Sequence, residues 1–303
     1  MLRDTLLSLA NQPTLRGFVT SNTLTQLVAR RFVAGERPDE ALAVARMLNQ
    51  RGMAVSLDLL GENVHDAREA EAATQDYLAL LERIKEAGLN ASISVKLTAM
   101  GLDLSEELAR ENLALILEYA TLCGGFVRVD MEGSAYTERT IQIVLEMRRR
   151  FDCVGTVLQA ALYRTMQDLE TLIAAGVRLR LVKGAYLEPK EIAFPKKADV
   201  DCSYIELMHV LLRRGDYPSI ATHDERLVNE AKRFARMQGI ERSRFEFQML
   251  YGIRRDLQQR LITEGYNVRV YVPYGDQWYP YLMRRMAERP ANLLFVASNV
   301  LRR

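Results

Sequence analysis

The segment Tyr281-Leu282-Met283-Arg284-Arg285-Met286-Ala287-Glu288 holds the densest chemistry in the sequence. Tyr281, Arg284, Arg285 and Glu288 stand at i, i+3, i+4 and i+7, so a helix puts all four on one face. Two adjacent guanidinium groups can each offer a planar fork to a carboxylate. The same spacing also describes a solvated helix face with an Arg–Glu pair, and the spacing alone does not choose between the two.

Other chemically capable residues gather where short apolar runs end. They are Asp58 and Glu62, Lys96 and Thr98, Asp130 and Glu132, Gln159, Arg180, Lys183 to Tyr186, Thr222 and His223, Gln248 and Leu250, and Tyr271 and Tyr274. Lys96, closing an apolar run, has the address of a buried active-site cation. Asp130 reads equally well as its ion-pair partner or as a functional group. Taken singly, His223 reads as a satisfied polar residue, and Tyr271 and Leu250 as core.

A glycosidase needs two carboxylates flanking its substrate, whereas the fourth and seventh run ends carry Gln159 and Gln248. A metallohydrolase needs several converging His or Asp ligands. The chain has three histidines, of which only His223 ends a run, so no metal is expected. No serine nucleophile elbow is present. What remains is rich in amides, tyrosines, Lys and Arg, which suits a bulky polar cofactor and an anionic substrate.

The elements that must position these residues repeat along the chain. Helical stretches end near Gly52, Gly88, Gly125, Gly176, Gly215, Gly239 and Gly265, a residue favoured just past a helix. The runs 54–60, 91–97, 126–131, 153–159, 177–183, 218–223, 244–250 and 268–273 follow as eight strands. Between them the apolar spacing is helical, with Ala72, Leu78, Leu81 and Ile84 able to share one face. Strands alternating with helices predict parallel pairing through right-handed crossovers. The fold class is therefore α/β, a (βα)8 TIM-like barrel with additional N-terminal helices, which places the run ends together at the C-terminal face. An open doubly wound sheet is disfavoured because neither GxGxxG nor GxxxxGK[ST] occurs. Residues 1–48 read as an N-terminal helical arm and 49–303 as the barrel, within a single domain 1–303.

At 303 residues, 49% apolar and 26% charged, the chain can bury a large core without disulfides or metal. A net charge of +2 with interspersed signs argues against nucleic acid as the main partner. Cys123, Cys153 and Cys202 form no CxxC pair and fit a reducing compartment, so the expected location is cytoplasmic. The N-terminal stretch reads as an amphipathic helix rather than a signal peptide, and no run reaches the roughly 18 apolar residues of a membrane span.

With these segments assembled, the sequence resembles the proline dehydrogenase family, including the catalytic domain of bacterial proline-utilisation proteins. YLMRRMAE is similar to the family's YxxRRxxE helix. DLLGE (58–62), ISVKLTA (93–99), VRVDMEG (127–133), RLVKGAYLE (180–188), ATH (221–223), FEFQMLYG (245–252) and VRVYVPYG (268–275) match family segments in the family's order. The resemblance implies an FAD-dependent enzyme that oxidises L-proline to Δ1-pyrroline-5-carboxylate by hydride transfer to the flavin. Electrons then pass to a quinone, implying transient contact with the inner face of the membrane; the oligomeric state, a homo-oligomer included, stays open.

Residue by residue, the resemblance implies that Arg284, Arg285 and Lys96 bind the proline carboxylate. Tyr271, Tyr281, Leu250 and Tyr186 would surround the ring, Asp130 would support Lys96 and the flavin, and Glu62 would pair with Arg285 as a gate. For FAD it points to Asp130, Gln159, Arg180, Val182, Lys183, Gly184, Ala185, Thr222, His223, Gln248 and Glu288. Hydroxyproline-oxidising relatives carry a smaller residue at the position of Tyr271, which implies a preference for proline. A barrel of the methylenetetrahydrofolate reductase kind is disfavoured by the arginine pair and Tyr271. A non-catalytic flavin-binding barrel is disfavoured by the presence of every strand-end group the resemblance requires.

Overall fold

Branched and apolar residues alternate with polar ones along the strands, and the alternation decides what each barrel face contains. The computed structural model describes the backbone of residues 29–288 and the side chains of residues 29–283. Its strands are β1 (Ala54–Leu59), β2 (Ala91–Val95), β3 (Val127–Val129), β4 (Val154–Gln159), β5 (Arg178–Val182), β6 (Ser219–Ala221), β7 (Glu246–Leu250) and β8 (Asn267–Tyr274). They form a closed barrel in sequence order. All pairs are parallel, and β1 closes the ring on β8 with Val55 opposite Val270. The expected (βα)8 architecture is what the chain adopts.

The helices are α1 (Pro38–Gln50), α2 (Ala67–Glu86), α3 (Glu106–Cys123), α4 (Ser134–Arg148), α5 (Thr165–Ala174), α6 (Lys197–Arg214), α7 (Glu225–Met237), α8 (Arg255–Thr263) and α9 (Trp278–Glu288). Side-chain caps fix several starts: Asp66 accepts from the Glu69 amide and Asp224 from the Arg226 amide. On α2 the buried face is Ala70, Thr74, Tyr77, Leu80, Leu81 and Ile84. Ala72 is exposed and Leu78 half-buried, so the expected face is rotated, because Tyr77 rather than Leu78 reaches the core. The helix-ending glycines also need two corrections. After α3 the left-handed residue is Gly124 (φ 64), not Gly125. Gly215 is extended, and a Cβ there would lie 2.7 Å from the Leu211 carbonyl oxygen, so close approach rather than handedness requires it.

Val55, Leu57, Ile93, Val95, Val127, Val129 and Leu181 are fully buried between the strands and the surrounding helices. The intervening residues face the lumen, which is polar where a barrel of this type usually stacks branched apolar side chains. Arg180 on β5 reaches Ser56 Oγ on β1 at 3.5 Å and Ser94 Oγ on β2 at 3.3 Å, so its side chain crosses the lumen. In the layer nearer the N-terminal ends, Arg269 donates to Glu246 at 2.9 Å, and Arg128 donates to the carbonyls of Thr156 (3.1 Å) and Arg178 (2.5 Å). A Cβ at Gly155 would come within 2.8 Å of the Arg128 guanidinium, so only glycine lets it pass. Complete burial, then the neighbouring Arg180, pushes Arg128 well below its ordinary range.

Before β1, Ala41, Leu42, Ala45 and Leu48 of α1 join the same core as Val55 and Leu57. Ala29, Phe32 and Val33 pack instead with Leu60, Trp278, Tyr279, Tyr281, Leu282 and Met283. That corner is tied by the Ala34 amide to the Pro273 carbonyl (2.9 Å), Gly275 to Gly35 (3.0 Å), and the Trp278 indole to Glu36 (2.9 Å). Of the arm expected over residues 1–48, residues 1–28 lie outside the described residues.

Candidate active site

The C-terminal ends of the strands surround a cavity of about 660 Å³, within the usual range for small-molecule and cofactor sites. Asp58, Lys96, Asp130, Gln159, Arg180, Gln248, Leu250 and Tyr271 line it from the strands and their exits. The loop after β5 adds Lys183, Gly184, Ala185 and Tyr186, with Val182 beneath them, and the loop after β6 adds Thr222 and His223. Glu62 enters from the loop after β1 and Tyr281 from α9.

A charged lattice forms the floor. Lys96 Nζ lies 2.7 Å from Asp58 Oδ1 and 4.0 Å from Asp130 Oδ2. Asp130 instead accepts from Arg180 at 2.8 Å and from the Tyr271 hydroxyl at 2.7 Å. Asp130 thus pairs with Lys96, as one of its two sequence readings had it, but at the longer distance; Asp58, 1% exposed, is the closer partner, because Arg180 and Tyr271 already engage Asp130. The Arg180 guanidinium lies 5.2 Å from the Tyr271 ring centroid and donates through Nε to Gln248 Oε1 at 2.5 Å.

Burial works to lower the Lys96 ammonium, but Asp58 and Asp130 outweigh it and hold the group above its ordinary value. Desolvation pushes the Tyr271 phenol well up, and Asp130 adds to the shift. Lys96 is therefore a cation and Tyr271 a neutral donor throughout the physiological range.

On the opposite wall Gly184 has φ 116 and no side chain; a Cβ there would meet Ala161 Cβ at 3.1 Å and Gln159 Oε1 at 3.4 Å. Backbone kept this thin, followed by Ala185, leaves room for a flat ring system. Lys183 bridges Asp201 (2.6 Å) and Asp224 (3.1 Å), and His223 Nε2 accepts from the Leu250 amide at 2.9 Å. The residues present thus fit a planar, polyanionic cofactor: a cradle on one wall, with buried guanidinium and amide donors below.

Thr98, Glu132 and Tyr274 are not among the lining residues. Glu132 accepts from the Thr98 hydroxyl at 2.7 Å, and burial raises its carboxyl; Tyr274 is buried in the outer core. Lys197, Asp224, Glu225 and Arg254 line the mouth without having been singled out from the sequence. They sit in loops or first helical turns rather than at strand ends; Arg254, at a left-handed φ of 48, is held by Glu225 at 3.0 Å. The side chains of Arg284, Arg285 and Glu288 lie outside the described residues, although their backbone belongs to α9.

A closed parallel (βα)8 barrel with a charged, partly apolar cavity at its C-terminal mouth is the architecture of a barrel enzyme. Residues 41–298 match the model of the proline dehydrogenase family, and the chain belongs to that family. It is 42% identical over 303 residues to proline dehydrogenase 1 of Bacillus subtilis, covering 100% of both chains. With the proline dehydrogenase of Deinococcus radiodurans it shares 40% over 307 residues, covering 100% of this chain and 98% of the other. Among solved structures it resembles proline utilization A from Bdellovibrio bacteriovorus inactivated by N-propargylglycine, with a TM-score of 0.82 and 26% identity. That match covers 87% of this chain and 33% of the longer one, so the chain spans about a third of that protein.

Proposed function

We propose that the protein is an FAD-dependent L-proline dehydrogenase that forms Δ1-pyrroline-5-carboxylate, opens proline catabolism and passes its electrons to a quinone. The lattice joining Lys96, Asp58, Asp130, Arg180 and Tyr271 at the barrel mouth, in a member of this family, carries the reading. Asp130, Gln159, Arg180, Val182, Lys183, Gly184, Ala185, Thr222, His223 and Gln248, with Glu288 from α9, would hold FAD. When bound, it supplies the acceptor for the hydride on the ring carbon next to nitrogen.

The chain's own residues position the substrate. The described lining carries five acids (Asp58, Glu62, Asp130, Asp224, Glu225) and five bases (Lys96, Arg180, Lys183, Lys197, Arg254), so its charges balance. Each of those bases already faces a carboxylate. A substrate carboxylate therefore needs further cations, which Arg284 and Arg285 would bring from α9 to join Lys96. Tyr271, Tyr281, Leu250 and Tyr186 exclude water around the ring, and Glu62 pairs with Arg285 once substrate is bound. Holding the donor carbon against its acceptor is an orientation effect able to contribute several kcal/mol. We read residues 1–303 as one catalytic unit, cytoplasmic, with transient contact at the inner face of the membrane. Among the described residues no helix is long and apolar enough to cross a membrane.

The test is a visible absorption spectrum of the purified protein before and after L-proline is added without oxygen. A flavin spectrum that bleaches supports cofactor, substrate and direction together. A flavin spectrum indifferent to proline removes the substrate, and a protein that binds no flavin after reconstitution overturns the reading.

A further inference from the structure

Beneath the cavity floor the two lumen layers are joined through one amide. Glu246, 2% exposed, accepts from Arg269 Nε at 2.9 Å, from Ser219 Oγ at 3.2 Å and from Gln248 Nε2 at 2.5 Å. The other end of that amide, Gln248 Oε1, accepts from Arg180 Nε at 2.5 Å, and Arg180 in turn donates to Asp130, which accepts from Tyr271. Six side chains therefore form one continuous chain, Arg269–Glu246–Gln248–Arg180–Asp130–Tyr271.

We infer that Glu246 is a positioning residue for the reaction, fixing through the Gln248 amide the orientation of Arg180, Asp130 and Tyr271. A primary amide has a donor end and an acceptor end that occupy nearly the same shape. Which end faces Arg180 is therefore set by the partner at the other end. A carboxylate can only accept, so it claims the NH₂ group and turns the carbonyl toward the guanidinium, which can only donate. Arg269 is what makes a buried carboxylate tolerable there. Desolvation would raise Glu246, but Arg269 overcomes it and keeps the group ionised, with its carboxyl below the ordinary value. With a neutral amide at position 246 the preference disappears, and a flipped Gln248 would set NH₂ against guanidinium. Glu246 is not among the residues lining the cavity, so its influence is exerted through Gln248.

The assay rests on the proline dehydrogenase reading, and a double-mutant cycle isolates the relay from barrel stability. Glu246→Gln is expected to lower kcat/KM for L-proline about tenfold, mostly through KM, as befits loss of a charge-assisted hydrogen bond. In a Gln248→Met background the same substitution is expected to change kcat/KM less than about twofold. Equal losses in both backgrounds would overturn the relay and leave Glu246 as packing for Arg269. Should Glu246→Gln fail to fold, Glu246→Asp keeps the charge beside Arg269 while withdrawing the carboxylate from Gln248, and a folded aspartate variant with wild-type KM overturns the relay equally. A crystal structure of either variant gives an answer independent of turnover. Loss of the Arg180–Gln248 contact supports the relay, and an unchanged contact refutes it. Wild-type protein that does not oxidise proline would count against the proposed function alone, and the crystal structure would still decide the relay.

Discussion

Replacing Lys96 with methionine separates what the buried lysine does for the fold from what it does for the substrate. Its side chain is 11% exposed and its partner Asp58 only 1%, with 2.7 Å between the charged atoms. Removing one member of so desolvated a pair leaves a bare buried carboxylate, a change that costs about 3–5 kcal/mol. The reverse removal, Asp58→Asn, should cost less, about 1.5–3 kcal/mol, because Lys96 still has Asp130 at 4.0 Å. The double variant Lys96→Met/Asp58→Leu replaces the pair with apolar groups, so most of the stability should return. Turnover should not return with it, since the substrate carboxylate has lost a cation; kcat/KM is expected to stay about ten- to a hundredfold down. Urea unfolding at neutral pH and steady-state kinetics on the three variants measure both quantities. A Lys96→Met cost under about 1 kcal/mol would refute the desolvated pair. A double variant that regains turnover as well as stability would remove Lys96 from the substrate site.

Arg284→Met should raise the KM for proline about tenfold or more, as loss of a bidentate carboxylate contact predicts, and an unchanged KM would discard the arginine clamp. Gly184→Val adds a branched side chain at φ 116 beside Ala161. The purified variant should hold less flavin per chain and lose about 1–3 kcal/mol of stability; full flavin content would refute the cradle. Glu246, held below its ordinary 4.5, contributes stability that is present above that value and lost as pH falls through its lower folded value. The stability gap between wild type and Glu246→Gln should accordingly shrink between neutral pH and about pH 4 in thermal melts, and a constant gap would contradict it. Because Asp58 and Asp130 hold Lys96 above its ordinary 10.5, affinity for a five-membered-ring carboxylate lacking the amine should stay level from neutral pH to about pH 10. A fall near pH 9 in calorimetric titrations would show that Lys96 loses its proton there.

The barrel was legible because punctuation and periodicity agreed: a helix and an apolar run recur eight times, seven of them with a glycine between, and a parallel barrel is the closed arrangement that satisfies all of them. The contents of the lumen were not legible. Arg128 and Arg269 read as the polar positions of alternating strands, and a period of two cannot say whether the polar side faces solvent or the barrel interior. Glu246 was hidden for the same reason. Lys96, Asp130, Arg180, Gln248 and Tyr271 could be listed from their strand-end addresses, and the structure brings all five to one cavity. Their pairings could not, because whether Lys96 sits closer to Asp58 or to Asp130 depends on which carboxylate Arg180 has already taken. Lys197, Asp224, Glu225 and Arg254 reach the mouth through loop geometry, which leaves no periodic trace.

The chain contains a single tryptophan, and it is Trp278, the first residue of α9, buried and bonded through its indole N–H to Glu36. Nature has in effect labelled one corner of the molecule. Tryptophan emission from the whole protein arises where the segment preceding α1 meets the helix that carries Tyr281 into the cavity. A displacement of that helix relative to Glu36 would stretch or break the indole–carboxylate bond and alter the polarity around the ring. Stopped-flow fluorescence of the unmodified protein would therefore report such a displacement directly, on a clock separate from the colour change of the redox reaction.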